Sequence, residues 1–442
     1  MAKASILSVD IGTSSVRACV FDATGRMLPR TLVKAEHSPS IPAAGASEFD
    51  SVELMQRTLD VIDRVAAVTG DPVEAVAMSA FWHGIVGVDE RGRATTPVLT
   101  WADRRSREFT PLIKERLDET ASHRRTGAHF HSSFWPAKLM WFRERQPLIW
   151  RKTARWCSFP DLIAERLFGE CVTSISMASA TGIFDQRRCL PDAEMLRFLK
   201  LRKGSLARIA ADGETFRLTR RYARRWPTLA KADWFAAVGD GAADHIGSCG
   251  PMPGTASLMI GTSAAMRSIP DGGVPGRHPR GLWCYRIDGK RAIVGGALSD
   301  GGNLHHLIRE RFGLAKNCDA LVAAREPDDG LTVIPFFFGE RSTGYNEEAR
   351  GAMIGLTSEH DGIDVLRAAM EGVAFRLADI QERMNRICRI DRVIASGGAL
   401  LASRAWQQIA ADALGRRLEV SDVKEASLRG AALLALETTG KM

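Results

Sequence analysis

The chain has 442 residues, too many for one ordinary hydrophobic core, and its 45% hydrophobic and 25% charged residues exclude a disordered or fibrous polypeptide. No apolar run approaches the ~20 residues that span a bilayer, and the chain reaches Asp10 before a signal-peptide core can develop, so a cytoplasmic location without a membrane partner is expected. A formal charge of +8 and a pI near 9.2 suit anionic ligands. The densest basic run, residues 220–225, lies in no recognisable nucleic-acid module and reads as a solvated helix face, so nucleic acid is not an expected partner. The eight cysteines are scattered without a CxxC pair and read as reduced structural thiols.

Residues 6–9 are a short apolar run rich in β-branched side chains, ending at Asp10; Gly12, Thr13, Ser14 and Ser15 make a tight polar turn, and 16–21 resume the apolar pattern. This predicts a β-hairpin with one carboxylate beside its bend. Gly12 lets the backbone approach a ligand, and successive amide groups of a small-residue turn form a concavity for phosphate oxygens. Asp10 would repel phosphate unless a divalent cation stood between them. The tetrapeptide Ile-Gly-Thr-Ser occurs at 11–14 and again at 260–263, each time after an apolar strand and before a second apolar segment. Two such units predict a duplicated architecture with phosphates held between the halves.

In chain order, residues 52–68 have helical apolar spacing and 73–78 read as a buried strand, so an α/β domain with a mixed sheet follows. Trp82 and His83 fall at the C-terminal end of that strand, where open α/β sheets bind ligands. A strand at 98–100 delivers Trp101, Asp103, Arg104 and Arg105 to a second strand end, a mixture suited to a polyhydroxylated or acidic small molecule; the same residues could simply cap and decorate a helix over 106–120. Residues 135–156 look helical, and the spacing of the nearby His123, His129 and His131 fits no common metal motif. The small-residue run 173–182 reads as close packing or a binding loop. A strand over 236–238 ends at Gly239-Asp240-Gly241, an exposed and approachable carboxylate that makes Asp240 the candidate general base, with a helix N-cap as its structural alternative. Later come a strand at 292–294, a helix over 304–311, a strand at 333–338, a long helix over 365–387 and a strand at 393–395 running into Ser396-Gly397-Gly398-Ala399, a turn on which a flat base or ribose can rest.

These residues resemble the FGGY carbohydrate kinases, within the larger group of sugar kinase, actin and Hsp70-like ATPases. Residues 351–372, GAMIGLTSEHDGIDVLRAAMEG, fit that family's C-terminal signature; DIGTSS at 10–15 looks like its first phosphate motif, GTS at 261–263 its second and SGGA at 396–399 its adenosine motif. TWADRRS at 100–106, CYRIDG at 284–289 and GGALSDGGNL at 295–304 look like the gluconate-kinase branch, with xylulose kinases next. The resemblance implies two RNase H-like domains, 1–245 with the sugar site, first phosphate motif and catalytic aspartate, and 246–442 with the second phosphate and adenosine motifs, around an interdomain catalytic cleft. It implies ATP-dependent phosphorylation of a terminal hydroxyl on an open-chain sugar or sugar acid, of gluconate type or, alternatively, a pentulose or polyol. Asp240 would take the hydroxyl proton; Gly12, Thr13, Ser14, Gly261, Thr262 and Ser263 would clamp the phosphates of ATP; Gly397, Gly398 and Ala399 would line the adenosine site. Asp10 would hold Mg2+ through water, and Trp82, His83, Asp103 and Arg104 would contact substrate. A non-catalytic nucleotide-binding regulatory protein is the competing class, and a homodimer is neither required nor excluded.

Overall fold

The computed structural model describes residues 5–325 and 330–441. Two units emerge: one holds the chain up to Gly250 with Tyr285–Ala292 and the segment from Val423 on, the other holds Pro251–Cys284 and Ile293–Asp422.

The first unit grows from the expected hairpin. Ser5–Ile11 pairs antiparallel with Ser15–Asp22, which pairs antiparallel with Val33–Glu36; on the other side Ser5–Ile11 pairs parallel with Ala75–Ala80. The sheet continues through Asp233–Phe235 and Thr215–Phe216, and Val238–Gly239 also pairs with Ala75–Ala80. Both central strands are buried from residue 6 to 11 and from 75 to 80, which is why they read as apolar runs and not as alternating patterns. The helix Ser51–Val68 starts where Asp50 accepts the amides of Val52 and Glu53, and buries Leu54, Leu59, Val61, Ile62 and Val65.

The second unit repeats this topology. Gly254–Ile260 pairs antiparallel with Ala264–Ser268, which pairs antiparallel with Ala292–Leu298; on its other side it pairs parallel with Ile390–Ser396, followed by Leu418–Val420. The two Ile-Gly-Thr-Ser copies therefore sit at the bend of the equivalent hairpin in each unit, although residues 12–15 separate the last paired residues of the first hairpin and only 261–263 those of the second. Gly12 N–H donates to Ser15 and Gly261 N–H donates to Ser263, both at 2.9 Å.

Several expected elements shift for identifiable reasons. The helix over 106–120 is two helices, Phe109–Arg116 and Glu119–Thr126, because Asp118 caps the second. The 135–156 run is Trp135–Arg145, then Pro147–Lys152, then the strand Arg155–Cys157, since Pro147 ends the first helix by starting another. The 292–294 strand extends to Leu298 through Gly295 and Gly296, where a Cβ would lie 2.3 Å from the Met266 carbonyl and 2.6 Å from Ile380. The 333–338 strand is only Thr332–Ile334. Beyond it the chain turns so that the amides of Phe337 and Phe338 reach the Asp300 carboxylate.

Candidate active site

Three strand ends of the first unit meet in register. Asp10 stands beside Ser79, which stands beside Val238; one step further, Ile11 stands beside Ala80 and Ala80 beside Gly239. The Gly12 turn, the Phe81–Gly84 loop and Asp240 thus leave one sheet edge side by side, the place where open α/β sheets present ligands. Asp240 is the first residue of the helix Asp240–Cys249 and accepts the Gly241 amide at 2.7 Å; Gly239, not Asp240, fills the cap position. A Cβ on Gly239 would lie 1.7 Å from Nε1 of Trp82. Glycine is required there because the indole ring lies against that backbone, which brings Trp82 next to the aspartate.

Trp82 donates to the Ser176 carbonyl at 3.2 Å, and His83 Nδ1 lies 2.6 Å from the Ala180 carbonyl. A carbonyl only accepts, so Nδ1 carries a proton and donates it. The small-residue run 173–182 is thereby resolved: its helix Ile175–Ser179 and following turn supply carbonyls that orient both ligand-loop aromatics. Tyr285 lies edge-on to Trp82 and His83, at 5.2 and 5.6 Å between centroids, and Phe134 to His83 at 4.9 Å. His83 has φ of 67°, a left-handed conformation uncommon outside glycine and the mark of a loop held by its surroundings. One such anchor is Lys138, fully buried, whose ammonium donates to the carbonyls of Thr100, Ser133 and His83 at 2.7, 2.8 and 3.4 Å. It ties together the three segments around the ring cluster.

Asp103, expected to touch substrate, is buried beneath its loop. It is 0% exposed, accepts the Ser47 amide at 3.0 Å and pairs with Arg105, which also binds Glu48 and lies over Trp141. Its carboxylate shapes the loop from inside. Arg104 is half-buried, its amide fixed on the Gly45 carbonyl at 2.7 Å. His123 and His129 stack at 4.0 Å, and His131 accepts the Ser133 amide at 3.1 Å.

Asp10 is 1% exposed. Ser79 Oγ donates to its Oδ1 at 2.6 Å and Arg17 to its Oδ2. Both oxygens already hold one donor, so the carboxylate cannot wrap a bare cation, but each keeps a lone pair for metal-bound water, and Mg2+ retains waters readily. The residues fit outer-sphere Mg2+. Thr13 is half-buried and Ser14 exposed; His37 steadies the turn, its Nε2 2.8 Å from the Gly12 carbonyl and its amide donating to Ser14 at 3.0 Å. Burial lowers the His37 pKa, so the ring is neutral near pH 7.

In the second unit three loops close on one another. Gly302 and Asn303 donate their amides to the carbonyls of Gly261 and Thr262 at 2.8 and 3.0 Å. A Cβ on Gly302 would meet the Gly261 oxygen at 2.4 Å and Ala399 at 2.8 Å, and one on Gly397 the Ile260 oxygen at 2.4 Å. Gly261–Ser263 and Gly397–Ala399 therefore form one cluster, with Gly398 facing open space. Sequence reasoning passed over Arg17, Ser79, Lys138 and Tyr285. Arg17 was within reach, since the hairpin register sets it opposite Asp10.

Comparisons with known proteins agree with this geometry. Residues 5–245 match the model of the FGGY family of carbohydrate kinases, N-terminal domain, and 254–438 match its C-terminal domain. The chain is 27% identical over 457 residues to a gluconokinase of Bacillus subtilis (strain 168), covering 99% of this chain and 88% of that protein. It is also 27% identical to a xylulose kinase of Escherichia coli (strain K12), over 93% of this chain and 85% of that one. In fold it resembles a gluconate kinase from Lactobacillus acidophilus, with a TM-score of 0.90 at 24% identity, covering 99% and 90% of the two chains.

Proposed function

Since the chain belongs to the FGGY family of carbohydrate kinases and is an ATP-dependent sugar kinase built of two RNase H-like domains with mixed sheets, we propose that its acceptor is an open-chain sugar acid of the gluconate type, phosphorylated on a terminal hydroxyl. The observation that carries the reading is the single sheet edge from which the Gly12 turn, Trp82, His83 and Asp240 project. Phosphoryl transfer asks a protein mainly to align donor and acceptor and to neutralise charge on the transferring group.

In this reading Asp240 accepts the hydroxyl proton, while His83 Nε2 accepts a hydrogen bond from a second hydroxyl of the acceptor. Trp82 gives the carbon chain an apolar wall, and Arg104 pairs with the acid's carboxylate. Amides and hydroxyls of Gly12, Thr13, Ser14, Gly261, Thr262 and Ser263 hold phosphate oxygens; Gly397, Gly398 and Ala399 support the adenosine. Asp10 would hold Mg2+ through its water shell, and the ion would supply positive charge to the phosphate oxygens. Asp103 keeps the Arg104 loop in shape and does not contact the acceptor.

Gluconate is preferred to xylulose because the gluconokinases match over 99% of the chain against 93% for the xylulose kinase and the 100–106, 284–289 and 295–304 segments look like the gluconate-kinase branch. An ADP-release screen over gluconate, xylulose, glycerol and related polyols tests this. The highest kcat/KM is expected on gluconate or another sugar acid; a higher value on xylulose or a neutral polyol overturns the assignment.

A further inference from the structure

Arg17 reaches in two directions. Its Nη2 donates to Asp10 and its Nη1 to Glu425 Oε2 at 2.6 Å, across 408 positions of sequence, while its Nε is buried without a hydrogen-bond partner. With Ser79 on the other Asp10 oxygen, the chain Ser79, Asp10, Arg17, Glu425 runs from the sheet centre to the start of the helix Ala426–Thr438. A guanidinium beside a lone carboxylate prefers two parallel bonds, side-on. Here one nitrogen is drawn off by Glu425, so the contact with Asp10 is through the other. The Arg17 side chain stays 26% exposed, beside the turn that starts at Gly12.

The direction of the Glu425 carboxylate is set by the backbone. Glu425 has φ of 56°, disfavoured for a residue with a side chain. The helix behind it is locked: a Cβ on Gly247 would lie 1.9 Å from the Ala426 carbonyl and one on Gly430 1.8 Å from the Ala243 carbonyl, and Arg429 donates to the carbonyls of Gly25 and Gly247. A non-glycine residue held in this region against its preference marks a place where geometry matters more than local comfort.

We infer that Glu425 is a positioning residue for phosphoryl transfer, holding Arg17 off a side-on pairing with Asp10 so that the remaining Nη hydrogens serve the phosphate held by the Gly12–Ser14 turn. The inference rests on the reading of that turn as a phosphate site. Without Glu425 the guanidinium closes onto Asp10, and positive charge is withdrawn from the transferring group while sugar and ATP still bind.

Steady-state kinetics of full-length variants, read with melting temperatures, test this. Glu425→Gly suits the left-handed backbone, so its melting temperature is expected to match or exceed that of the parent. Its kcat is expected to fall by about tenfold or more with both KM values within about twofold, the signature of a contact made only in the transition state. Glu425→Gln is expected to show the same kcat loss. In an Arg17→Lys background, removal of the Glu425 carboxylate is expected to cost nothing further, because the two residues act as one unit. Unchanged kcat in either Glu425 variant, or an equal loss in both backgrounds, overturns the inference. Full activity of Arg17→Lys overturns it differently, by removing the guanidinium itself from the reaction and with it the reading of the turn.

Discussion

At the scale of single residues, the contact between Gly239 and Trp82 couples the proposed acceptor wall to the proposed proton acceptor, Asp240. A methyl group at 239 has nowhere to go, with Nε1 of Trp82 at 1.7 Å from its position, so the indole must leave its bond to Ser176. Gly239→Ala is expected to raise the sugar KM by about tenfold or more, because a bound group misplaced by an ångström loses that order of rate or affinity. ATP affinity, measured by calorimetry without sugar, should hold. Asp240→Asn is the complementary change: it keeps the shape and removes the base, and turnover is expected to fall by about a hundredfold or more. Retained turnover would take Asp240 out of its role. The two variants separate binding from chemistry at neighbouring positions.

Among the elements, the pair of helices Asp240–Cys249 and Ala426–Thr438 is the most closely packed in its unit, and glycine is what allows it. The two backbones approach so closely at Gly247 and Gly430 that any side chain meets a carbonyl, which cannot rotate away as a side chain can. Gly430→Ala is therefore expected to destabilise the first unit by about 1–3 kcal/mol, the usual cost of overpacking, seen as a lower denaturant midpoint. A further loss of activity should accompany it, since the first of these helices begins at Asp240. Local pattern could not announce this pairing. The hairpins were legible because a buried strand, a glycine turn and another strand are contiguous, and their register followed from turn length. The Phe336–Phe338 stretch misled because aromatic residues favour strands, whereas here the Phe336 amide turns back to the Ile334 carbonyl and those of Phe337 and Phe338 are spent on Asp300. The pairing of Asp103 was not legible either: a carboxylate at a strand end looks available until the arginine two positions later is seen to hold it. Arg17 and Glu425 were invisible as a pair because nothing in a sequence signals a contact across the whole chain.

For the whole molecule, Asp161 in the first unit and Asp300 in the second set a pH dependence. Burial pushes Asp161 and Asp300 up from 3.8 to about 7, in spite of hydrogen bonds from Ser158 and from the Phe337 and Phe338 amides. Between pH ~4 and ~7 the folded protein then binds more protons than the unfolded chain, so stability falls as pH rises through that window; the contribution is complete below it and gone above. Glu119 acts in the opposite sense. Burial raises it, but His129 and the Phe130 amide bring it from 4.5 down to about 2, so its contribution is present above pH ~4.5 and is lost as pH falls toward 2. The melting temperature should therefore be higher near pH 5 than near pH 8. The double substitution Asp161→Asn and Asp300→Asn should flatten the alkaline side of a thermal-shift profile; an unchanged profile would show that these carboxyls titrate normally.

The first unit is not continuous in the chain: the helix that backs its sheet begins at Ala426, after every residue of the second unit has been made. During synthesis the emerging hairpin, with Asp10 and Arg17 already in place, must wait for its last layer until nearly the whole chain has been made. Until then the face destined for Leu428, Ala431, Ala432, Leu433 and Leu436 is bare, and nascent chains of this protein should be strong clients of holdase chaperones.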